Sequence, residues 1–206
     1  MSQPTAYKLR VVISGVSPLI WRRLLVSSDI DLDQLHDILQ INFDWSDRYF
    51  HCFRIHGVEY RYGNSEKRLL DFRLRRRECF RYEYYPLTSW KLDIRLEDIL
   101  PVDLKRPKPI CVGGQRAGPP EDGLGAWQYL ERLDNHKYSF PYEEFGLMAR
   151  AVQQVLESGT REGLNLDELR EAMCRVEDYQ QFRPDHFDRR EVNRQLQSSA
   201  EEGERV

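Results

Sequence analysis

The chain has 206 residues, 31 Lys+Arg against 34 Asp+Glu, and a formal net charge of −3, with 40% hydrophobic and 12% aromatic residues. A chain of this length and composition can bury a core without disulfides or structural metals, and it is neither collagen-like nor disordered. No apolar stretch approaches the roughly 20 residues that a membrane-spanning helix requires, so no membrane partner is expected. The opening Met1-Ser2-Gln3-Pro4-Thr5 lacks the basic flank and apolar run of a secretory signal, which predicts a cytoplasmic protein. Cys52, Cys79, Cys111 and Cys174 are widely spaced and form no C-x-x-C pair, so neither a disulfide framework nor a zinc knuckle is predicted.

In Ala6 to Ser14, Tyr7, Leu9, Val11 and Ile13 alternate onto one face, and Leu19 to Val26 alternates again after a Gly/Pro turn; both read as strands. Asp31 with Gln34 forms a capping-box pattern ahead of Leu32, Leu35, Leu39 and Phe43, which predicts an amphipathic helix of about three turns. Phe53 and Ile55, then Val58, Tyr60 and Tyr62, flank His56-Gly57 as a hairpin. Strands follow through Phe80, Tyr82 and Tyr84, and through Trp90, Leu92, Ile94 and Leu96. From Pro101 to Gly125 the texture becomes Pro- and Gly-rich and predicts a long irregular loop, with Gly113-Gly114 a turn. Helices are then expected at Trp127 to Leu133, at Phe145 to Val155 ending near Gly159, after the Asn165 cap, and after the Asp188 cap.

Strands concentrate early and helices late, which predicts an α+β fold around a mixed or mainly antiparallel sheet. The expected division is a sheet-and-helix core at 6–100, the loop at 101–125, a helical portion of the same domain at 126–197, and a frayed acidic tail at 198–206.

The strings Tyr7-Lys8-Leu9, Pro18-Leu19-Ile20-Trp21-Arg22-Arg23, Leu35-His36, Trp45-Ser46-Asp47 and Phe53-Arg54-Ile55 resemble the plasmid pRiA4b ORF-3 family, also labelled as passengers of mobile insertion sequences. The resemblance continues through Phe80-x-Tyr82-x-Tyr84, Ser89-Trp90, Cys111 to Arg116, Pro119-Pro120-Glu121-Asp122, Gly125, Trp127, Tyr129, Phe187-Asp188 and Val192-Asn193. It implies an α+β domain found in plasmid- and transposon-bearing bacteria, and no established reaction. The chain also departs from the family pattern. Where the family carries D-F-G-D and a following His, this chain has Tyr85, Pro86, Leu87, Thr88 and Leu92, and a common family His is Tyr49 here. Family cysteines flanking the P-P-E-D string are Gly118 and Gly123. A metal site needs three or four converging donors, so these losses predict a protein without metal or other cofactor.

Glu121 and Asp122 are the most chemical-looking pair, with His36 and His51 as companions for a general base or a metal. The simpler account has both carboxylates organise their loop, and has His36 lie at the core edge, hydrogen-bonded to a neighbouring strand or to Trp45. No zinc-protease helix, phosphate-binding loop or nucleophile elbow occurs.

Residues 54 to 108 carry fourteen Lys+Arg against nine Asp+Glu, a local +5 in a chain of net −3. The excess is densest at Arg73, Arg75, Arg76, Arg77 and Arg81, interleaved with Phe72, Phe80, Tyr82, Tyr84 and Tyr85. Arginines that meet phosphates and aromatics that stack on bases would make this a nucleic-acid surface; a solvated loop beside an aromatic core face is the plainer alternative. Two readings result. One is a non-catalytic interaction module gripping a protein or nucleic-acid partner, and the other is a metal-assisted hydrolase or nuclease built on Glu121, Asp122, His36 and His51.

Overall fold

The structure, a computed structural model, describes residues 5–61, 67–85, 88–101, 108–123 and 125–203. Tyr62 and the Pro86-Leu87 positions lie outside these.

Strands β1 (Thr5–Ile13) and β2 (Trp21–Ser27) pair antiparallel, and Gly15 takes φ 79° in the turn between them. Helix α1 (Leu32–Phe43) starts at the Asp31–Gln34 capping box, whose reciprocal hydrogen bonds are both formed. Strands β3 (Phe50–Ile55) and β4 (Val58–Arg61) make the hairpin, and His56 and Gly57 both have positive φ (51° and 79°), as a tight two-residue turn requires. A short 3-10 turn (Leu69–Phe72) precedes β5 (Cys79–Tyr85), β6 (Trp90–Pro101) and β7 (Ile110–Gln115). The helices α2 (Gly125–Tyr138), α3 (Tyr142–Ser158), α4 (Leu166–Gln181) and α5 (Arg189–Gly203) complete the chain.

The fold class is α+β. Among the described residues seven strands run β4-β3-β5-β6-β1-β2-β7, and every pairing between them is antiparallel. One sheet face is apolar: Leu9, Val11, Ile13, Leu24, Val26, Tyr82, Leu92, Ile94 and Leu96 are buried, together with Leu32, Leu35 and Leu39 of α1. Each such Leu or Ile contributes roughly 1.5–3 kcal/mol relative to exposure. The opposite face carries ion pairs, among them Arg23–Glu97 and Arg81–Asp93, as expected for an antiparallel sheet with one solvated side.

The sequence reading requires correction between 101 and 125. That stretch is not wholly irregular: Ile110–Gln115 is a strand paired with β2, and Gly113-Gly114 lies within it rather than in a turn. The glycines serve packing there. A Cβ on Gly114 would lie 2.6 Å from the Phe187 ring and 2.9 Å from Arg22 Cδ. Those two side chains occupy the space it leaves, with the Arg22 guanidinium 4.0 Å from the Phe187 ring centroid. The acidic tail is also shorter than expected, since α5 stays helical to Gly203.

The chain divides into two compact units. The first comprises residues 1–130 and 184–206, so α5 belongs with the sheet and not with the other late helices. The second, 131–183, is helical; within it α4 buries Ala172 and Val176, while α3 has no buried residue.

Candidate functional site

Three short segments of the first unit converge: the middle of α1, the turn that follows it, and the start of β3. His36 projects from the buried stripe of α1 and is 3% exposed. Asp44 closes the helix in the left-handed conformation, and Asp47, again at positive φ (54°), brings the turn back against His36. His36 Nε2 lies 2.7 Å from Asp47 Oδ1, and Nδ1 lies 2.8 Å from the Tyr82 hydroxyl of β5. With Asp47 ionised, Nε2–H donates to the carboxylate and Nδ1 accepts from Tyr82. Gln40 binds both ends of the set, donating to the Tyr82 oxygen at 2.9 Å and accepting the Asp47 N–H at 3.0 Å. Burial pushes the Tyr82 phenol pKa well up, which keeps its proton in place as a donor.

The His51 ring stacks on that of His36 with centroids 3.6 Å apart and planes 14° from parallel. Burial, reinforced by the neighbouring His36, lowers the His51 pKa to about 4, so its imidazole is neutral at pH 7. One donor atom from each of His36, Asp47 and His51 falls within 4.8 Å of the others. Tyr49, where the resemblance implies a histidine, instead packs edge-on to Tyr84.

Glu121 belongs to a different hydrogen-bond set. Its Oε1 accepts the Ser46 N–H at 2.9 Å and the Tyr84 O–H at 2.5 Å. Burial opposes its ionisation, but the hydrogen bonds from Tyr84 and Ser46 more than offset that and hold the carboxyl below its ordinary value. Asp122 is exposed in the same bend. Trp45, buried and stacked on Tyr84, donates Nε1–H to the Pro119 carbonyl at 2.8 Å. Gly118 sits where a Cβ would come within 1.9 Å of the Phe43 oxygen. The Pro119 to Asp122 segment is thus docked on the turn that ends α1, and Glu121 works there as a clasp.

Of the four residues named from sequence, the structure brings His36 and His51 together and sets Glu121 with Tyr84 and Ser46. The third member of the cluster, Asp47, was legible only as part of the Trp45-Ser46-Asp47 string. Its spacing to the histidines matches no recognised motif, because the three donors come from a helix, a turn and a strand.

The arginines form a second surface feature. Arg73 ends the 3-10 turn at φ 50° and Arg77 takes φ 72°. The turn is pinned by Arg77 N–H to the Leu96 carbonyl (2.7 Å) and by Arg75 N–H to Glu78 Oε2 (2.7 Å). Glu78 also meets His56 at 2.5 Å; the Arg75 N–H first, and His56 after it, lower the pKa of its carboxyl. Arg76 pairs with Asp98 and Arg81 with Asp93. The exposed Arg73, Arg75 and Arg77 side chains form no ion pair among the described residues, although the Arg75 charge helps to lower the pKa of Glu78, and with Phe72, His56, Arg76 and Glu78 they border a hollow of about 560 Å³. Of the interleaved aromatics, Phe80, Tyr82 and Tyr84 are buried, Phe72 is buried beneath the hollow that it lines, and Tyr85 is half-buried.

The comparisons with known proteins agree with this architecture. Residues 5–144 match the family described as plasmid pRiA4b ORF-3-like protein. The chain is 27% identical over 135 residues to the uncharacterized protein y4hQ of Sinorhizobium fredii, covering 60% of this chain and 69% of that one. It is also similar to the crystal structure of MM3350, a protein of unknown function from Methanosarcina mazei Go1. That match has a TM-score of 0.64 and 26% identity, and covers 93% of this chain and 99% of that one.

Proposed function

Because the chain belongs to the plasmid pRiA4b ORF-3-like protein family, for which the resemblance implies no reaction, we propose that it is a non-catalytic interaction module that binds a phosphate-bearing partner, a nucleic acid, through the turn from Arg73 to Arg77. The observation that carries this reading is the set of three exposed side chains, Arg73, Arg75 and Arg77, that form no ion pair among the described residues. Cations held on a pinned backbone and outside any ion pair among the described residues attract phosphates, in a chain whose net charge is otherwise −3. With Phe80, Tyr82 and Tyr84 buried, binding depends chiefly on charge and is largely indifferent to sequence. The alternative hydrolase or nuclease built on Glu121, Asp122, His36 and His51 draws less support, because Glu121 is occupied with Ser46 and Tyr84.

The test is fluorescence anisotropy with labelled single- and double-stranded DNA and RNA across a salt series. Binding is expected at low salt. Replacing Arg73, Arg75 and Arg77 together with Gln lowers the slope of log K against log salt by about 2–3, at roughly 0.7–0.9 per lost phosphate contact. No complex at low salt overturns the nucleic-acid reading and points to a protein partner instead.

A further inference from the structure

We propose that His36, Asp47 and His51 together bind one divalent transition ion of the zinc class. This site shares no residue with the arginine turn and is independent of the function proposed above. Three observations carry it. First, two imidazoles and one carboxylate from three separate segments place their donor atoms within 4.8 Å of one another. Ligands at 2.0–2.1 Å around a tetrahedral ion lie about 3.3 Å apart, so the cluster is within a short adjustment of coordination spacing. Second, the donor set selects the ion: two neutral nitrogens and one oxygen suit zinc, cobalt or nickel, whereas calcium and magnesium take oxygen shells. Third, His36 is already oriented from behind. Tyr82 meets its Nδ1 at 2.8 Å and Gln40 holds Tyr82 in turn, the outer support that metal-bound histidines use.

Loading the site requires two movements. The stacked rings direct their lone pairs side by side rather than at one point, so the His51 ring turns, and Asp47 exchanges its 2.7 Å hydrogen bond to His36 for the ion. The Asp47 side chain is 60% exposed and free to make that exchange. His36 then coordinates through Nε2 after its proton passes from Nε2 to Nδ1, and the Tyr82 hydroxyl rotates so that its oxygen accepts from Nδ1–H. Three protein donors leave the remaining position to water. The losses at Tyr49, Tyr85 and Leu92 remove other potential ligands but leave this trio intact.

The experiment titrates the chelator-stripped 206-residue chain with zinc chloride, read by calorimetry and by thermal melting. The expected result is one ion per chain with micromolar or tighter affinity and a rise in melting temperature. Asp47→Asn and His51→Ala each weaken binding at least tenfold, while His186→Ala, which is not a member of the cluster, binds as wild type. Cobalt provides a second readout: its visible d–d absorption appears in wild type and is lost in both site variants, each checked by circular dichroism to be folded. No binding at 100 μM zinc, about 100-fold above a micromolar Kd, overturns the proposal. Unchanged affinity in either site variant also overturns it.

Discussion

Asn193 of α5 pairs with the backbone of Cys111 as a neighbouring strand would: its Oδ1 accepts the Cys111 N–H at 2.7 Å and its Nδ2 donates to the Cys111 carbonyl at 3.0 Å. Among the described residues β7 has only β2 beside it, and a free sheet edge exposes a row of unpaired backbone groups. One amide side chain satisfies both polar groups of the buried Cys111 and ties α5 to that edge, aided by Arg189, which donates to the Val112 carbonyl at 3.2 Å. This explains why a helix far along the chain belongs with the sheet.

Replacing Asn193 with Leu removes both bonds and strands a buried donor and acceptor. Stability is expected to fall by about 1–3 kcal/mol, measured by urea denaturation. Asn193→Asp keeps the acceptor and loses the donor, and should fall between the two. Equal stability of wild type and Asn193→Leu would show that the edge is held by other contacts.

Glu121 is expected to matter for stability in the way a clasp does. Glu121→Ala leaves the Ser46 N–H and the Tyr84 O–H without their acceptor and should cost about 1–3 kcal/mol by the same measurement. Glu121→Gln, which retains an acceptor oxygen, should recover most of that loss. A Gln variant as unstable as the Ala variant would mean that the charge, and not the hydrogen bonds, holds the segment.

The Arg23–Glu97 pair sets a pH dependence. Arg23 donates through Nε at 2.7 Å and Nη2 at 2.9 Å, and these hydrogen bonds lower the Glu97 pKa from its ordinary 4.5 despite partial burial. A carboxyl whose folded pKa is depressed contributes stability in full above pH 4.5 and loses it as pH falls through the lower folded value. Between pH 5 and 3 the melting temperature of wild type should therefore fall more steeply than that of Glu97→Gln, with the two curves converging at the acid end. Parallel curves would assign the acid sensitivity to other groups.

Much of the fold was legible along the chain because its signals are local. Alternation in β1 and β6, the Asp31–Gln34 box, the His56-Gly57 turn, the Gly159 stop and the Asn165 cap each act over a few residues, and each forms as its pattern predicts. The exception is β7. Gly113 and Gly114 read as a turn because glycine has no strand preference of its own, whereas here Gly114 clears space for Phe187 and Arg22, residues more than seventy positions away in either direction.

The candidate sites divide along the same physical line. Local sequence determined that His36 lies beside the apolar stripe of a helix and that the arginines crowd one charged stretch, and it left open which way His51 faces. Only tertiary structure decided that the Asp47 turn folds back onto His36, that the β3–β5 pairing places His51 beside Tyr84 in the ladder, with Tyr82 on the same face, and that Glu121 is spent on Ser46 and Tyr84. The arginines divided likewise, since Arg76 and Arg81 pair with carboxylates on β6 while Arg73, Arg75 and Arg77 form no ion pair among the described residues. Periodicity and capping act over one or two turns of chain, so they can be read residue by residue. Donor convergence depends on strand register and on where a turn closes, and those are set by the burial of the whole sheet face.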